Sequence, residues 1–335
     1  MLRLKLIITT FSFVCMVLLS SCSNNTDVKA TESEITPYLS INYTTFDNGS
    51  NEDNGMTTTA YIYDLNQKEV VDFYAFPYDT QYPLGIFDKG TNRLYFSQDA
   101  DGGDQIFMYD IDTEETTQLT TDLFAVNYIF PYGETIFFVT NPKDEYHRLK
   151  LGSLDVSSRE ITYWKDDGDT NVETLYLDRI NKKIYVSAYS LEERDYNLRN
   201  QGNNGSINPE GILYETDTEF NSTRELYRRE EHVMRFVLKH NNMVLTALQR
   251  TIDDKRLKSA YINIDTLEVS DFNLPDGIQR GEPAFSADGK GIYMLTVVDD
   301  KRGIYYCDLD TGDLTEVFVP EGNGFINSFI YFDSN

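Results

Sequence analysis

Histidine is the side chain most able to bind a metal ion or move a proton near neutral pH, and the chain has three, His147, His232 and His240. His232 and His240 flank one predicted strand, so at about 3.3 Å per residue they stand roughly 26 Å apart and cannot share a metal ion. His147 and His232 are compatible with one face of a fold, but we expect both to be solvated loop residues. We therefore predict no catalytic residue and no cofactor.

A second group that could bind a metal is the acidic run at residues 99–104, in which carboxylates alternate before glycine as they do in calcium loops. The run departs from the EF-hand pattern, because Gly103 stands where an oxygen ligand belongs and Asp110 where a bidentate Glu belongs. We interpret it as an Asp-Gly hairpin turn and predict no metal site. The weak calcium candidate that remains consists of Asp99, Asp101 and Asp104.

The N-terminal residues indicate where in the cell the protein is located. Arg3 and Lys5 precede a mostly apolar run at residues 6–19, which is too short for an ordinary membrane-spanning helix and is typical of a signal peptide. The leader ends in Leu-Ser-Ser-Cys, which resembles a bacterial lipobox and implies attachment of lipid, such as palmitate, at Cys22. Residues 23–36 are polar and contain no aromatic side chain, so we expect a flexible tether.

The rest of the sequence carries no motif of a known catalytic class. Cys15 would leave with the leader and Cys22 would carry lipid, so Cys307 is the one remaining thiol; its strand-like setting favours a core side chain over a nucleophile. There is no G-x-S-x-G, H-E-x-x-H, C-x-x-C or phosphate-binding glycine motif. The sequence thus favours a binding protein over an enzyme.

The charge of the chain excludes two classes of partner. With 29 Lys and Arg against 55 Asp and Glu, the formal net charge is −26. A body this acidic is repelled by the phosphates of nucleic acids and by anionic lipid headgroups. Any contact with a membrane must therefore come through the N-terminal lipid, and we predict no nucleic-acid partner.

A repeated strand pattern follows the tether. No window shows a sustained helical periodicity, whereas short β-branched and aromatic runs recur between turn residues, which indicates an all-β chain. Six units can be aligned on the acidic or Asn residue that ends each third strand, with spacings between 45 and 60 residues. This period is typical of a β-propeller. The aligned residues are Asp64, Asp110, Asp155, Glu215, Asn263 and Asp308.

The two ends of the chain predict how the ring closes. Residues 325–333 look like a first strand without successors, and residues 38–74 look like second, third and fourth strands without a first. We therefore predict one domain at residues 37–335, a six-bladed β-propeller of four-stranded antiparallel blades, closed by the C-terminal strand pairing into the N-terminal blade.

The repeats resemble those of TolB-like six-bladed propellers, which are WD40-like. The resemblance covers roughly residues 80–320 and is carried by the Asp-Gly turns at 101–102 and 288–289 and by the Tyr-Asp-Ile-Asp run at 109–112 that leads to Gln-Leu-Thr at 118–120. Blades three and five depart from it, with Pro-Tyr-Gly at 131–133 and Lys-His-Asn-Asn at 239–242 in place of Asp-Gly. The resemblance implies the propeller fold.

In such a fold, one face collects the loops between second and third strands and the connections between blades. The longest interruption of the pattern, residues 190–211, would lie there. We expect this face to gather aromatic and basic side chains for binding a partner. The candidate residues are Trp164, Tyr196, Arg228, Arg229, His232, Arg280, Lys301 and Arg302.

These observations lead to one functional hypothesis and one alternative. The hypothesis is a lipid-anchored, non-catalytic propeller on the extracytoplasmic side of a bacterial cell membrane or outer membrane, which binds a protein or glycan partner in the envelope. The alternative is a propeller-type extracellular enzyme, such as a polysaccharide lyase, whose active site is built from residues scattered along the sequence.

Overall fold

The computed structural model describes residues 36–46, 55–80, 82–200, 206–251, 254, 257–272 and 283–333. The predicted leader, Cys22 and the tether up to residue 35 lie outside these residues, as does Arg280. Within the described part of the chain, no helix is long and apolar enough to cross a membrane.

The described strands form six four-stranded antiparallel sheets, which we call blades one to six in chain order. Blade one contains β24 (Gly324–Phe332), β1 (Tyr38–Phe46), β2 (Met56–Asp64) and β3 (Glu69–Pro77). Blade two contains β4 (Gly85–Asp88), β5 (Arg93–Ala100), β6 (Gly103–Asp110) and β7 (Glu115–Gln118). Blade three contains β8 (Leu123–Tyr132), β9 (Thr135–Pro142), β10 (Lys150–Asp155) and β11 (Ile161–Tyr163).

The other three blades repeat this arrangement. Blade four contains β12 (Thr170–Asp178), β13 (Lys183–Ser190), β14 (Gly211–Asp217) and β15 (Thr223–Arg229). Blade five contains β16 (Val233–His240), β17 (Met243–Gln249), β18 (Lys258–Asn263) and β19 (Val269–Phe272). Blade six contains β20 (Ala284–Phe285), β21 (Gly291–Val298), β22 (Lys301–Asp308) and β23 (Leu314–Phe318). The predicted six-bladed all-β fold is confirmed.

The acidic residue that ends each third strand has a specific structural role. In β2, for example, Asp64 Oδ1 accepts hydrogen bonds from the backbone amides of Asn66 and Gln67, both at 2.9 Å. The residue four positions after Asp64, Lys68, then adopts a positive φ of 58°. Such Asx turns satisfy backbone donors where the chain reverses, which explains why Asp or Asn recurs at this point of the repeat.

Blade four departs from the predicted alignment. Its third strand, β14, ends at Asp217, and Asp217 Oδ1 accepts from the backbone amide of Asn221 at 2.8 Å. Glu215, which we aligned with the other turn residues, lies two residues earlier and instead pairs with Arg224 at 3.0 Å. The longer Glu side chain thus serves an ion pair between strands, and Asp217 is the equivalent of the turn residues.

The ring closes between β24 and β1 as predicted. The two strands are antiparallel, with Tyr38 opposite Phe332 and Thr45 opposite Gly324. The rings of Tyr38 and Phe332 stack with centroids 4.7 Å apart, and Asn327 Nδ2 donates to Thr44 Oγ1 at 2.8 Å. Residues almost 300 positions apart in the chain therefore belong to one sheet.

The core lies between neighbouring blades. The middle strands are buried on both sides, as in β5, where Leu94, Tyr95 and Phe96 are all buried, and the fourth strands are largely exposed. Cys307 is a free thiol packed in this core, and burial raises its pKa. The prediction that Cys307 is a core side chain is confirmed.

A helix lies between the second and third strands of blade four, where we predicted a loop. Helix α1 (Leu191–Arg199) begins at Ser190, whose side chain accepts from the backbone amide of Glu193 at 3.1 Å. The Ser-x-x-Glu spacing is a helix N-cap signal that the sequence contained. Leu191 is the one buried residue of α1. The sequence of this segment therefore lacks the repeated apolar residues that indicate a helix packed against a core.

Candidate functional site

The two ends of the propeller differ in their connections. The face that we call the loop face carries the connections between second and third strands and those between blades. It includes α1, a 3-10 helix at Lys143–Glu145 and the described segments 77–80, 82–85 and 318–324. The opposite face, the turn face, carries the short turns between first and second strands and between third and fourth strands.

The loop face exposes most of the aromatic side chains that reach solvent. Among the described residues, six Phe, Tyr or Trp side chains are exposed, and five of them lie on this face. The sixth, Phe73, lies on the outer strand of blade one, and the turns of the turn face expose aliphatic side chains, Ile180 and Leu267. The five on the loop face are Phe46, Tyr82, Phe124, Tyr146 and Tyr196.

A funnel opens at the centre of the loop face, with a volume of about 670 Å³. Its wall is built mainly from one strand of each of five blades, β4, β8, β12, β16 and β24, which are therefore inner strands of the ring. Tyr78 and Tyr82 stand at its rim on the connection from blade one to blade two. A cavity of this size is typical of a site for a ligand or a partner's side chains.

The funnel wall combines aromatic, amide and charged groups. Tyr128 and Phe325 contribute rings, and Asn127 and Asn327 contribute amides. Arg235 Nη1 donates to Glu173 Oε1 within the wall, which places a half-buried ion pair beside the opening. Amides and a charge pair next to aromatic rings can recognise peptide or sugar groups by hydrogen bonding and stacking.

Arg302 is the predicted site residue that lies in this funnel. Arg302 follows Lys301 on the β21–β22 hairpin, and its side chain is exposed. Within the residues that the structure describes, it makes no ion pair. A free guanidinium at the edge of an aromatic cavity is available for a carboxylate or for stacking on a ring.

Three other predicted residues share a separate depression on the loop face. Arg228, Arg229 and His232 line it together with Arg250 and several carboxylates. Arg228 pairs with Glu225 at 2.7 Å and with Glu210, and the hydrogen bonds that its guanidinium donates to the Glu225 carboxylate raise its pKa above the ordinary value. The depression is therefore of mixed charge, because the carboxylates neutralise most of the basic character that we predicted there.

Trp164 does not contribute to a binding surface. It lies at the end of blade three on the loop-face side but is only 2% exposed. Its Nε1 donates to Thr223 Oγ1 at 3.1 Å, and its ring packs edge-on against Tyr214 at 5.4 Å. Both partners are distant in sequence, so the sequence did not indicate that blade four would cover this side chain.

The other predicted residues are spread over the face. Tyr196 is exposed on α1 of blade four, and Lys301 is exposed on the hairpin of blade six. The seven predicted residues that the structure describes thus do not form one cluster. Sequence reasoning missed the funnel residues Tyr78 and Tyr82 on a connection between blades and Asn127, Arg235 and Asn327 on inner strands, because the sequence pattern does not show which connections and strands form a common wall.

The acidic run of blade two folds as the predicted hairpin. Asp101 adopts a φ of 57° beside Gly102, and its carboxylate accepts from Gln118 Nε2 at 2.8 Å. Asp99 and Asp104 are cross-strand neighbours. Across the described residues, no group of three His, Cys, Asp or Glu side chains has the geometry to hold a metal ion.

The three histidines are separate. His232 and His240 lie at opposite ends of the β16 region, and His240 packs against the ring of Phe285 at 5.4 Å. His147 lies on the loop after β9, with its ring 5.8 Å from that of Tyr146. None of them lies in the funnel wall.

Comparison with known proteins identifies the fold. No family model and no curated protein sequence matches the chain. A crystal structure of TolB from Acinetobacter baumannii has a TM-score of 0.57 at 13% identity, over 89% of this chain and 67% of that chain. A chain in a nidogen/laminin complex has a TM-score of 0.55 at 14% identity, over 88% and 98%.

A third solved structure is similar in shape. An oligogalacturonate lyase in complex with manganese has a TM-score of 0.50 at 13% identity, over 86% of this chain and 75% of that chain. The chain therefore has a TolB-like six-bladed propeller fold, as the sequence repeats indicated. At identities this low, the similarity is one of fold, and function has to be argued from the site.

Proposed function

We propose that this chain is a lipid-anchored, non-catalytic propeller of the bacterial cell envelope that binds a protein or glycan partner through its loop face. The observation that carries the proposal is the uneven distribution of exposed aromatic side chains, five of six on one face of the described structure. Exposed aromatic rings cost solubility and are enriched where proteins bind partners.

The funnel supports the same face. Its aromatic rim, amide groups and free Arg302 lie at the centre of the loop face, the face that carries the exposed aromatic side chains of blades one to four. A protein partner could insert a side chain or a chain end there, and a glycan could stack a sugar ring on Tyr78 or Tyr82. The similarity in fold to TolB and to a chain in the nidogen/laminin complex is consistent with a binding role.

The envelope location and the lipid at Cys22 are proposals from the N-terminal sequence. Labelling of the expressed protein with a palmitate analogue tests them directly. We expect label in the wild-type chain and none in Cys22→Ala, whereas equal label in both would contradict the anchor.

Binding through the loop face is tested by capture from envelope extract. The variant Tyr82→Ala/Phe124→Ala/Tyr146→Ala removes three exposed rings of this face, and Phe73→Ala, which removes a ring 62% exposed on the outer strand of blade one, is the matched control. We expect the triple variant to retain a specific envelope component at least tenfold less than wild type, because aromatic side chains dominate binding at interfaces. Phe73→Ala should retain it fully.

Treating the extract with protease before capture distinguishes the two kinds of partner. A captured glycan would survive the treatment and a captured protein would not. Equal capture by the triple variant and by Phe73→Ala would overturn the proposed face. Release of an unsaturated sugar product during incubation would instead indicate the polysaccharide-lyase alternative.

A further inference from the structure

A second, smaller cavity lies on the propeller axis beyond the funnel, toward the turn face. Its volume is about 80 Å³, which is room for a few water molecules or one small polar group. Phe130, Phe236 and Ile330 line both cavities, so the funnel and this inner cavity adjoin at these residues.

Arg179 is the charged side chain of the inner cavity. It directly follows β12, the inner strand of blade four, and lines the cavity together with Tyr176 and Tyr331. Its guanidinium carbon lies 4.9 Å from the centre of the Phe332 ring, and Phe332 stacks in turn on Tyr38. The strand that closes the propeller therefore holds one face of the guanidinium by a cation–π contact.

Arg179 lacks the partner that a half-buried arginine normally has. Within the described residues it makes no ion pair and no hydrogen bond, although a guanidinium carries five N–H donors. Burial lowers its pKa, and the charge of Asp88 acts in the opposite direction. The guanidinium remains charged at neutral pH, because the ordinary arginine pKa is far above that range.

The carboxylates near the axis are engaged elsewhere. Asp88 accepts from the backbone amide of Gly90 at 3.0 Å and from Thr91 Oγ1 at 3.2 Å, so it serves its own turn. Asp178 pairs with Lys239 at 2.6 Å. Asp333, at the end of the closing strand, accepts from the Tyr331 hydroxyl at 3.5 Å.

The tyrosine hydroxyls of the inner cavity are uncharged. Burial raises the pKa of Tyr176 to about 12, and it also raises the pKa of Tyr331. Both hydroxyls are therefore protonated at neutral pH and do not repel an anion.

We propose that the inner cavity is an anion-binding site in which Arg179 binds one carboxylate group. A carboxylate matches the planar fork of the guanidinium and can accept two parallel N–H bonds from it. It also fits the cavity, which a sugar ring or a peptide side chain of larger size does not. The carboxylate belongs to a free small acid or to the end of a longer ligand that enters through the funnel, and this proposal does not depend on the partner proposed for the loop face.

Titration of the purified protein with sodium acetate, against sodium chloride at equal ionic strength, tests the site. We expect acetate to bind in isothermal titration calorimetry and to raise the midpoint of thermal unfolding more than chloride does. Arg179→Met, which keeps much of the side-chain volume and removes the charge, should weaken acetate binding at least tenfold. Arg199→Met, which removes an exposed arginine of α1 that lines neither cavity, is the matched control and should leave acetate binding unchanged.

Two further arms keep the test decisive. Arg179→Lys retains the charge without the two parallel donors, so acetate should bind it several-fold more weakly even if Arg179→Met does not fold. Glucuronate separates the two sources of the carboxylate: binding of acetate alone indicates a free small acid, and binding of both indicates the end of a longer ligand. No acetate-specific effect in wild type, wild-type affinity in the Arg179 variants, or tighter binding of phosphate than of acetate would overturn the proposal.

Discussion

At the scale of single residues, Asp104 is a buried carboxylate with an unfavourable environment. It is 7% exposed, and within the described residues its Oδ2 atom has no hydrogen-bond partner. Burial, together with the charges of Asp99 and Asp79, raises the pKa of Asp104 to about 6. Its ionisation therefore destabilises the folded state at neutral pH.

The pH dependence of stability follows from the direction of this shift. The pKa in the folded state lies above the unfolded value of about 3.9, so the contribution of Asp104 is most favourable below pH 4, declines between pH 4 and pH 6, and is constant above. We expect Asp104→Asn to raise the free energy of unfolding at pH 7 by on the order of 1 to 3 kcal/mol. Urea unfolding between pH 4 and pH 7 measures this difference.

The neighbouring carboxylate provides the control. Asp99→Asn removes one of the charges that raise the pKa of Asp104. The midpoint of the decline should therefore move to lower pH in this variant. If Asp104→Asn changed the free energy of unfolding relative to wild type by the same amount at pH 4 and at pH 7, the raised pKa of Asp104 would be contradicted.

Side-chain burial was the least predictable feature at this scale. Trp164 is of a residue type that is common in binding sites, but Thr223 and Tyr214 of the next blade cover its side chain. These two residues lie about 50 to 60 positions away in the sequence. Arg302 and Tyr196 were recognised as loop residues, which follows from the position of turns in the repeat. Which loops face the axis depends on the packing of six blades, and no local pattern encodes it.

At the scale of elements, the Asp or Asn residue at the turn after each third strand allowed the repeat to be recognised in the sequence. Asp64, Asp110, Asp155, Asn263 and Asp308 each cap a reversal of the chain, so the residue type follows from the turn geometry. The strands between them alternate or run apolar according to burial, and these were also predictable. Helix α1 was missed because it is short and mostly exposed, and its one signal was the cap at Ser190.

The structural role of the turn aspartates can be tested at Asp64. Asp64→Ala removes the acceptor for the amides of Asn66 and Gln67 and for the Thr36 hydroxyl, which donates at 2.6 Å. We expect a loss of about 1 to 3 kcal/mol in the free energy of unfolding, since the donors lose their partner. Chemical denaturation at pH 7 measures it.

A matched substitution separates the hydrogen bonds from the charge. Asp64→Asn keeps an oxygen acceptor for the two backbone amides, so its stability should lie closer to wild type than that of Asp64→Ala. Equal loss in both variants would show that the carboxylate charge, and not the turn geometry, is the stabilising feature.

At the scale of the whole molecule, the pairing of β24 with β1 joins the two ends of the described chain. Because β24 is the inner strand of blade one, its removal would expose the apolar edges of β1 and of the neighbouring blades. We expect a chain ending at residue 323 to lose its cooperative thermal transition. The milder Phe332→Ala, which removes the ring between Tyr38 and Arg179, should cost about 3 kcal/mol.

Differential scanning calorimetry compares the two variants with wild type. Phe46→Ala, at the exposed end of the β1–β2 hairpin, is the control for an aromatic side chain of the same blade and should change stability much less. An unchanged transition in the truncated chain would show that closure by the C-terminal strand is not needed for stability.

Binding of the partner at the loop face is tested most directly by photo-crosslinking in intact cells. A photoreactive phenylalanine analogue would replace Tyr82 or Tyr146 on the loop face, Phe73 on the outer strand, or Ile180 on the turn face, all exposed positions. We expect a discrete crosslinked product from Tyr82 and Tyr146 and none from Phe73 or Ile180. The same product formed with equal yield from Ile180 would contradict it.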